Sequence, residues 1–325
     1  MKSLNLSFHR WAADGRLYAI LAAAGFSLKA IFVKLGYAAG PVDALTLLTL
    51  RMGLALPLFA WLLWLSRDQQ AVKLTRMDGV RIVLLGMVGY YLSSLFDFYG
   101  LEYISAGLER LILYLYPTLV LVFQAFASRR RPSSRVVQAM AICYLGLGIA
   151  FIHDVGMTEQ STQVIKGAAW VFASAVTYAL YYLGTGAMVH RLGSMRLAGL
   201  AGSASSILVL LHFAVSGNVA TLPSLPSAVW LNAGLMAVLS TALPVYWLAL
   251  AVQRMGATQA AAVGSLGPVL TVLASWLLLS EPISAFQLGG LALVMFGVSR
   301  LKPKPEQKAA AEQTPVGAKV AEGEA

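Results

Sequence analysis

The chain contains two similar apolar stretches, YISAGLERLILYLYPTL at residues 103–119 and MGATQAAAVGSLGPVL at residues 255–270. Pro117 of the first stretch aligns with Pro268 of the second, and an apolar run follows each proline. The residues beyond them also correspond in order: Arg131-Pro132 with Glu281-Pro282, and Gln138 with Gln287. The shared order indicates two related halves, offset by about 150 residues.

The composition places these halves in a membrane. Of 325 residues, 58% are hydrophobic and only 12% are charged, and the mean hydropathy is +0.72. A soluble protein could not bury so much apolar surface, whereas a lipid bilayer accepts it. The net charge of +10 would suggest nucleic acid in a soluble protein. Here most Lys and Arg residues lie between apolar runs, where they orient membrane helices, so no nucleic-acid partner is expected.

The sequence predicts an all-α integral membrane protein with ten transmembrane helices. A membrane helix needs about 20 mainly apolar residues, and the segments that qualify are 17–36, 43–65, 79–98, 106–127, 134–153, 167–188, 196–215, 228–250, 256–279 and 283–299. If the N-terminus is cytoplasmic, most of the 24 Lys and Arg residues fall on inside segments. The positive-inside rule therefore predicts that both termini are cytoplasmic.

Five helices in each half have a structural consequence. Because five is odd, the second half must be inserted upside down relative to the first, an arrangement typical of transporters. The predicted organisation is a cytoplasmic N-terminus at 1–16, repeats at 17–153 and 166–300, and a disordered cytoplasmic tail at 301–325. The first apolar run continues to about Gly36, which favours an uncleaved span over a signal peptide.

The sequence resembles the drug/metabolite transporter superfamily, in its ten-helix EamA-type branch. The resemblance covers about residues 16–300 and is carried by Arg51, Ser105-Ala106-Gly107, Tyr116-Pro117, Ala249-Leu250, Gly256-Ala257, Gly267-Pro268, residues 277–284, Gln287 and Gly290. One departure is Arg130-Arg131-Pro132, where the family usually has a Glu before Arg or Pro. The resemblance implies a carrier for a metabolite or drug, commonly an exporter, and leaves its substrate open.

Five charged residues fall inside the predicted spans of the first half: Lys29, Arg51, Asp97, Glu109 and Arg110. Helical rise places them at one depth, in the outer half of the membrane. Charge inside lipid is costly, so it must be paired or face a wet cavity. One interpretation is a structural network that pairs Asp97 with Lys29 and Glu109 with Arg51 or Arg110.

The other interpretation is a substrate or proton site. Its central residue is predicted to be Glu109, with Lys29 and Arg51 as electrostatic partners. The charge count leaves one positive charge over, which suits an anionic or zwitterionic substrate. The sequence leaves both interpretations open.

Aromatic residues and prolines near the middle of the spans form a second group of candidates. The tyrosines Tyr90, Tyr91, Tyr114, Tyr178 and Tyr246 are predicted either to line a cavity or to pack between helices. Pro117 and Pro268 are predicted to kink their helices, either as flex points or as static bends.

The predicted function is secondary transport of a small metabolite, amino acid-like compound or drug by alternating access, as an exporter in the bacterial inner membrane. The alternatives are an intramembrane enzyme and a channel-like facilitator. No ATP-binding P-loop motif occurs, Cys143 is the only cysteine, and the four histidines are scattered. No cofactor or metal is therefore expected. The expected partners are the bilayer, the small-molecule substrate and a proton or exchanged solute, and the oligomeric state stays open.

Overall fold

A computed structural model describes residues 15–67, 72–129, 133–156, 161–255 and 257–301. The described chain consists of helices and short connections, with no strand. The predicted all-helical fold is therefore confirmed for these residues. Nearly all of the predicted N-terminal segment 1–16 and tail 301–325, and the Arg130-Arg131-Pro132 turn, lie outside them.

The helices follow the predicted apolar runs closely. They are α1 (Arg16–Ala39), α2 (Ala44–Leu65), α3 (Arg76–Leu101), α4 (Ala106–Ser128), α5 (Ser134–Gly156), α6 (Ser161–Leu192), α7 (Ser194–Ser216), α8 (Ser227–Met255), α9a (Ala257–Gly264), α9b (Gly267–Leu279) and α10 (Ala285–Leu301). Among the described residues, eight helices are long and apolar enough to cross a membrane, and shorter apolar helices occupy Gly267–Leu279 and Ala285–Arg300. The number of ten spans stays a prediction.

Side-chain caps define where several helices begin. The Asp43 carboxylate accepts the Thr46 N–H at 2.9 Å at the start of α2, and the Ser105 hydroxyl accepts the Leu108 N–H at 3.1 Å at the start of α4. Such caps satisfy amide donors that the first helical turn leaves free. They fix the short connections between consecutive helices.

Two helices widen into a π-helical stretch, at Gly86–Leu92 in α3 and at Val238–Ala242 in α8. In α3 the widening coincides with close packing, because a Cβ on Gly86 would lie 2.6 Å from the Ala201 carbonyl oxygen of α7. Stretches of this kind often occur at functional sites. Both line the central cavity described below.

Contacts between the two halves follow an exchange pattern. Helix α1 packs against α8, α9a and α9b, while α6 packs against α3 and α4. Helix α2 pairs with α7, and α5 pairs with α10. If each of α1 to α5 is exchanged with the helix five places later in the chain, the same set of pairs results. The largest buried cluster surrounds α1 and α2, with Ile31, Leu48 and Phe59 fully buried.

The α5–α10 pair shows this exchange at atomic detail. A Cβ on Gly146 would lie 2.7 Å from the Gly290 carbonyl oxygen, and a Cβ on Gly297 would lie 2.8 Å from the Ala139 carbonyl oxygen. Gly297 lies 151 positions after Gly146, and Ala139 lies 151 positions before Gly290. The two contacts are therefore equivalent, with the two helices exchanged. Small residues allow this close backbone approach, which drives helix association in lipid.

Candidate substrate cavity

A central cavity of about 540 Å³ lies between the two halves. Its described lining comes from α1, α2, α3, α4, α6, α7, α8 and both segments of α9. The lining extends from Ala19, Val189 and Val252, near the ends of their helices, to Lys29 and Arg51 in the interior. The cavity therefore reaches one end of the bundle.

Three of the five predicted charged residues line the cavity: Lys29, Arg51 and Arg110. The Arg51 guanidinium donates from Nε to the Thr241 hydroxyl at 3.0 Å and from Nη1 to the Ser94 hydroxyl at 3.3 Å. It also lies 5.6 Å from the centre of the Phe98 ring. Arg51 is thus held by neutral groups from α3 and α8.

The two carboxylates lie behind these cations, outside the described lining. Lys29 Nζ lies 2.8 Å from Asp97 Oδ2 and 3.8 Å from Glu109 Oε1. Glu109 Oε2 lies 3.7 Å from Arg110 Nε, and the Arg110 Nη2 donates to the Phe26 carbonyl at 3.1 Å. Both carboxylates have zero exposure. One ammonium therefore serves two fully buried acids, on α3 and α4.

Tyrosines form one wall of the cavity. Tyr90, Tyr114 and Tyr178, all predicted candidates, belong to the lining, whereas Tyr246 does not. Tyr246 packs against Trp61 with ring centres 5.8 Å apart. Tyr91 also lies elsewhere, since its hydroxyl is 2.9 Å from His212 Nδ1.

Sequence reasoning missed three further tyrosines of the lining: Tyr116, Tyr181 and Tyr182. The Tyr116 ring lies 5.0 Å from the Tyr178 ring and 4.9 Å from the Tyr182 ring, measured between centres. A usable signal existed, because positions 178, 181 and 182 fall on one face of a helix by the three- and four-residue spacing. That face of α6 points at the aromatic residue before Pro117.

The two prolines lie at equivalent helix interruptions. Helix α4 breaks at Tyr114–Leu115 and restarts at Tyr116, and the ninth helix breaks at Ser265–Leu266 and restarts at Gly267. Pro117 and Pro268 each occupy the first turn of the restarted segment, where a missing N–H costs nothing. Pro268 lines the cavity and Pro117 does not. Flexing at either proline stays a prediction.

Hydrogen bonds hold the bundle together at the opposite end. Lys34 Nζ donates to the carbonyls of Leu101 and Ile104 at 3.2 and 3.0 Å. The Ala106 N–H donates to both carboxylate oxygens of Glu281 at 3.1 Å, which ties the start of α4 to the segment after α9b. None of these residues belongs to the described lining. We refer to these contacts as the polar seal.

A metal site is not evident in the part of the chain that the structure describes. No group of three or more His, Cys, Asp or Glu side chains there could hold a metal ion. Cys143 is buried and its thiol faces the Val294 carbonyl oxygen at 3.6 Å. The polar side chains that line the cavity are cations and hydroxyls, and they lie among aromatic rings and aliphatic side chains.

Comparison with known families identifies this architecture. A family model described as the EamA-like transporter family matches residues 14–152 and 165–301. The chain belongs to the EamA-like transporter family. The resemblance inferred from the sequence is thereby confirmed, and this EamA-like protein is a multi-pass membrane transporter.

Relatives of the EamA-like chain carry consistent names. An uncharacterized transporter of Bacillus subtilis, YcbK, is 29% identical over 315 residues, covering 95% of this chain and 100% of the relative. An uncharacterized transporter of Archaeoglobus fulgidus is 25% identical over 277 residues, 82% of this chain and 91% of its own.

More partial or structural likenesses agree with them. An uncharacterized inner membrane transporter of Salmonella typhimurium, YicL, is 25% identical over 153 residues, 44% of this chain and 50% of the relative. A solved crystal structure superposes with a TM-score of 0.60 at 18% identity, covering 88% of this chain and 96% of that one. This last likeness shows the fold alone.

Proposed function

We propose that this EamA-like protein is a secondary carrier that exports a small organic solute by alternating access. The observation that carries the proposal is the one-sided cavity, which reaches one end of the bundle while the polar seal holds the other end. A carrier exposes its central site to one side at a time, whereas a channel needs a continuous path. Rearrangement of the seal and the opposite end would move the opening across the membrane.

We propose further that residues 17–153 and 166–300 are inverted five-helix repeats, giving ten spans. The exchange pattern of helix pairs supports this, as do the two contacts of α5 and α10 that are related by a shift of 151 positions. The family model also matches the chain twice. In this arrangement α9a and α9b together form one span.

The proposed orientation places both termini in the cytoplasm of a bacterial cell, with the protein in the inner membrane. Basic residues lie where α1, α6, α7 and α8 begin or end beside the cavity opening: Arg16, Arg191, Arg196 and Arg254. Cytoplasmic ends attract such residues. The opening is then cytoplasmic, which is the side from which an exporter loads. YicL, named an inner membrane transporter, supports the location.

The charged cluster is proposed to couple transport to a proton or to an exchanged solute. Glu109 has zero exposure and shares the Lys29 ammonium with Asp97. A proton on Glu109 would relieve the crowding of two carboxylates around one cation, and an arriving solute would compete for the same ammonium. Transport and protonation would thereby be linked through Lys29.

Counterflow in proteoliposomes tests the carrier. Vesicles are preloaded with one solute from a panel taken from cytoplasmic extract and are placed in the same solute. The exchange of internal for external solute should saturate with concentration and should be faster than net efflux. Flux that rises linearly with concentration and shows no exchange would indicate a channel-like path instead. A reporter fused after Leu301 tests the orientation, and an active periplasmic reporter there would contradict the inverted arrangement.

A further inference from the structure

The charges around the cavity are sorted by sign. Lys29 and Arg110 retain 16% and 13% of their side-chain exposure and line the cavity, whereas Asp97 and Glu109 retain none and lie outside the lining. Among the described lining residues there is no Asp or Glu. A solute in the cavity therefore meets cations first, with the carboxylates behind them.

Arg51 is the cation of the cluster that forms no ion pair among the described residues. Its described hydrogen bonds go to the neutral hydroxyls of Thr241 and Ser94. Among the described residues, no carboxylate lies within 4.0 Å of it. A guanidinium has five N–H donors and matches a carboxylate well. A cation without an ion-pair partner at membrane depth is costly, so a bound anion would lower the free energy of this state.

The tyrosine wall defines the rest of the ligand. Tyr116, Tyr178 and Tyr182 present ring faces and edges within 5.1 Å of one another, centre to centre. Aromatic groups pack well against such rings in stacked or edge-on geometry. A volume of about 540 Å³ lies in the usual range for small-molecule sites. The wall thus suits a flat apolar body next to the cationic residues.

A tyrosine wall alone would also attract an organic cation. The charged cluster argues against that ligand, because its three cations outnumber its two carboxylates and the excess positive charge would repel an organic cation. The charge of the lining therefore favours an organic anion over an organic cation.

We propose that the cavity binds an organic anion with an aromatic body, its carboxylate or equivalent head anchored by Arg51 and its ring against Tyr116, Tyr178 and Tyr182. This inference rests on the proposed carrier function for its physiological meaning. Binding itself can be measured without transport.

The test uses the full chain, purified in detergent, and follows thermal unfolding with three probes. Indole-3-acetate is the aromatic anion, tryptamine its cationic counterpart, and hexanoate an anion without a ring. Indole-3-acetate should raise the unfolding temperature in a saturable way, hexanoate should do so only at higher concentration, and tryptamine should not. Equal or greater stabilisation by tryptamine, or none by indole-3-acetate, would overturn the proposal.

Variants locate the two parts of the site. Arg51→Gln should weaken indole-3-acetate binding about tenfold or more, since a charged hydrogen-bond partner is lost. Arg81→Gln removes one positive charge from an exposed position outside the lining and should leave binding unchanged. If Arg51→Gln fails to fold, Tyr182→Leu serves instead, because Tyr182 is 43% exposed and its replacement is expected to leave the fold intact.

Tyr182→Leu should weaken indole-3-acetate binding while leaving hexanoate binding unchanged, and an equal loss for both would contradict the aromatic contact. Proteoliposomes separate the two proposals. Binding of indole-3-acetate without counterflow of any solute of the panel would contradict the carrier and leave the anion site standing, whereas counterflow of a cation alone would contradict the anion site.

Discussion

Lys29 Nζ lies 2.8 Å from Oδ2 of Asp97, a carboxylate with no exposed surface, and the same ammonium lies 3.8 Å from Glu109. One cation on α1 therefore contacts two acids that belong to α3 and α4, and Arg110 is a second cation beside Glu109. Substitution of each of Lys29, Asp97 and Glu109 should therefore change the stability of the protein by a different amount, which can be measured.

Lys29→Met is expected to destabilise the protein more than Asp97→Asn. Loss of Lys29 leaves the buried Asp97 without its ion pair and leaves Glu109 with Arg110 alone. Breaking a buried pair of this kind costs about 3–5 kcal/mol. Asp97→Asn leaves Lys29 with Glu109, so its cost should be smaller. Thermal unfolding in detergent, with Lys73→Met as a control at an exposed lysine, provides the comparison. The opposite order of stability would show that Lys29 is not the centre of the cluster.

Glu109→Gln is expected to fold normally and to lose the response of transport to an imposed pH gradient. The amide is similar in size and cannot carry the proton, so solute exchange at constant pH should persist. Proteoliposomes with and without a pH gradient measure both. Glu102→Gln is the matched control, because Glu102 accepts the Ala44 N–H at 3.1 Å outside the described lining of the cavity. An unchanged pH response in Glu109→Gln would exclude Glu109 as the proton carrier.

Glu281→Gln is expected to loosen the polar seal. A hydrogen bond to a charged group is worth about 1.5–3 kcal/mol, so amide hydrogen exchange in residues 101–108 should accelerate about tenfold or more. Ser284→Ala alters a cap in the same connection, the Ser284 hydroxyl that accepts the Gln287 N–H at 3.0 Å. It should leave residues 101–108 unchanged. Equal exchange in the wild type and Glu281→Gln would mean that the carboxylate does not hold this end.

Gly146→Val is expected to destabilise the α5–α10 pair by about 1–3 kcal/mol or more through overpacking. The new Cβ would meet the Gly290 carbonyl oxygen at 2.7 Å, and backbone cannot move aside as a flexible side chain can. Gly148→Val is a close control, because no atom lies within 4 Å of a Cβ at that position. Unfolding temperature in detergent should fall for the first variant and change little for the second. Equal effects would argue against close packing at Gly146.

The sequence could predict the helices because lipid imposes a simple requirement of length and apolarity. It could also bring Lys29, Asp97 and Glu109 together, since depth along a helix follows from residue number. The direction in which a side chain points around the helix axis cannot be predicted in this way, because packing against neighbouring helices sets it. Tyr246 faces Trp61 rather than the cavity for this reason.

The helix interruptions show the same limit. The sequence predicts that Pro117 and Pro268 kink their helices in mid-span, whereas the structure places each proline just after a break of two residues, at Tyr114–Leu115 and Ser265–Leu266. Proline fits the first turn of a helix, because the N–H that it lacks would have no partner within the helix there. The segment before the proline can therefore end as a separate helix. Apolar runs do not reveal such breaks, because the residues on both sides are equally apolar.

The two partners of the hydrogen bond between Ala106 and Glu281 differ in how many substitutions preserve it. Its donor is a main-chain amide, which nineteen of the twenty amino acids supply, so mutation at position 106 can alter size without removing the donor. Proline alone lacks it, and the start of a helix tolerates proline well. Ala106→Pro would therefore delete one hydrogen bond from a helix that still forms, whereas at position 281 almost any replacement removes the acceptor charge.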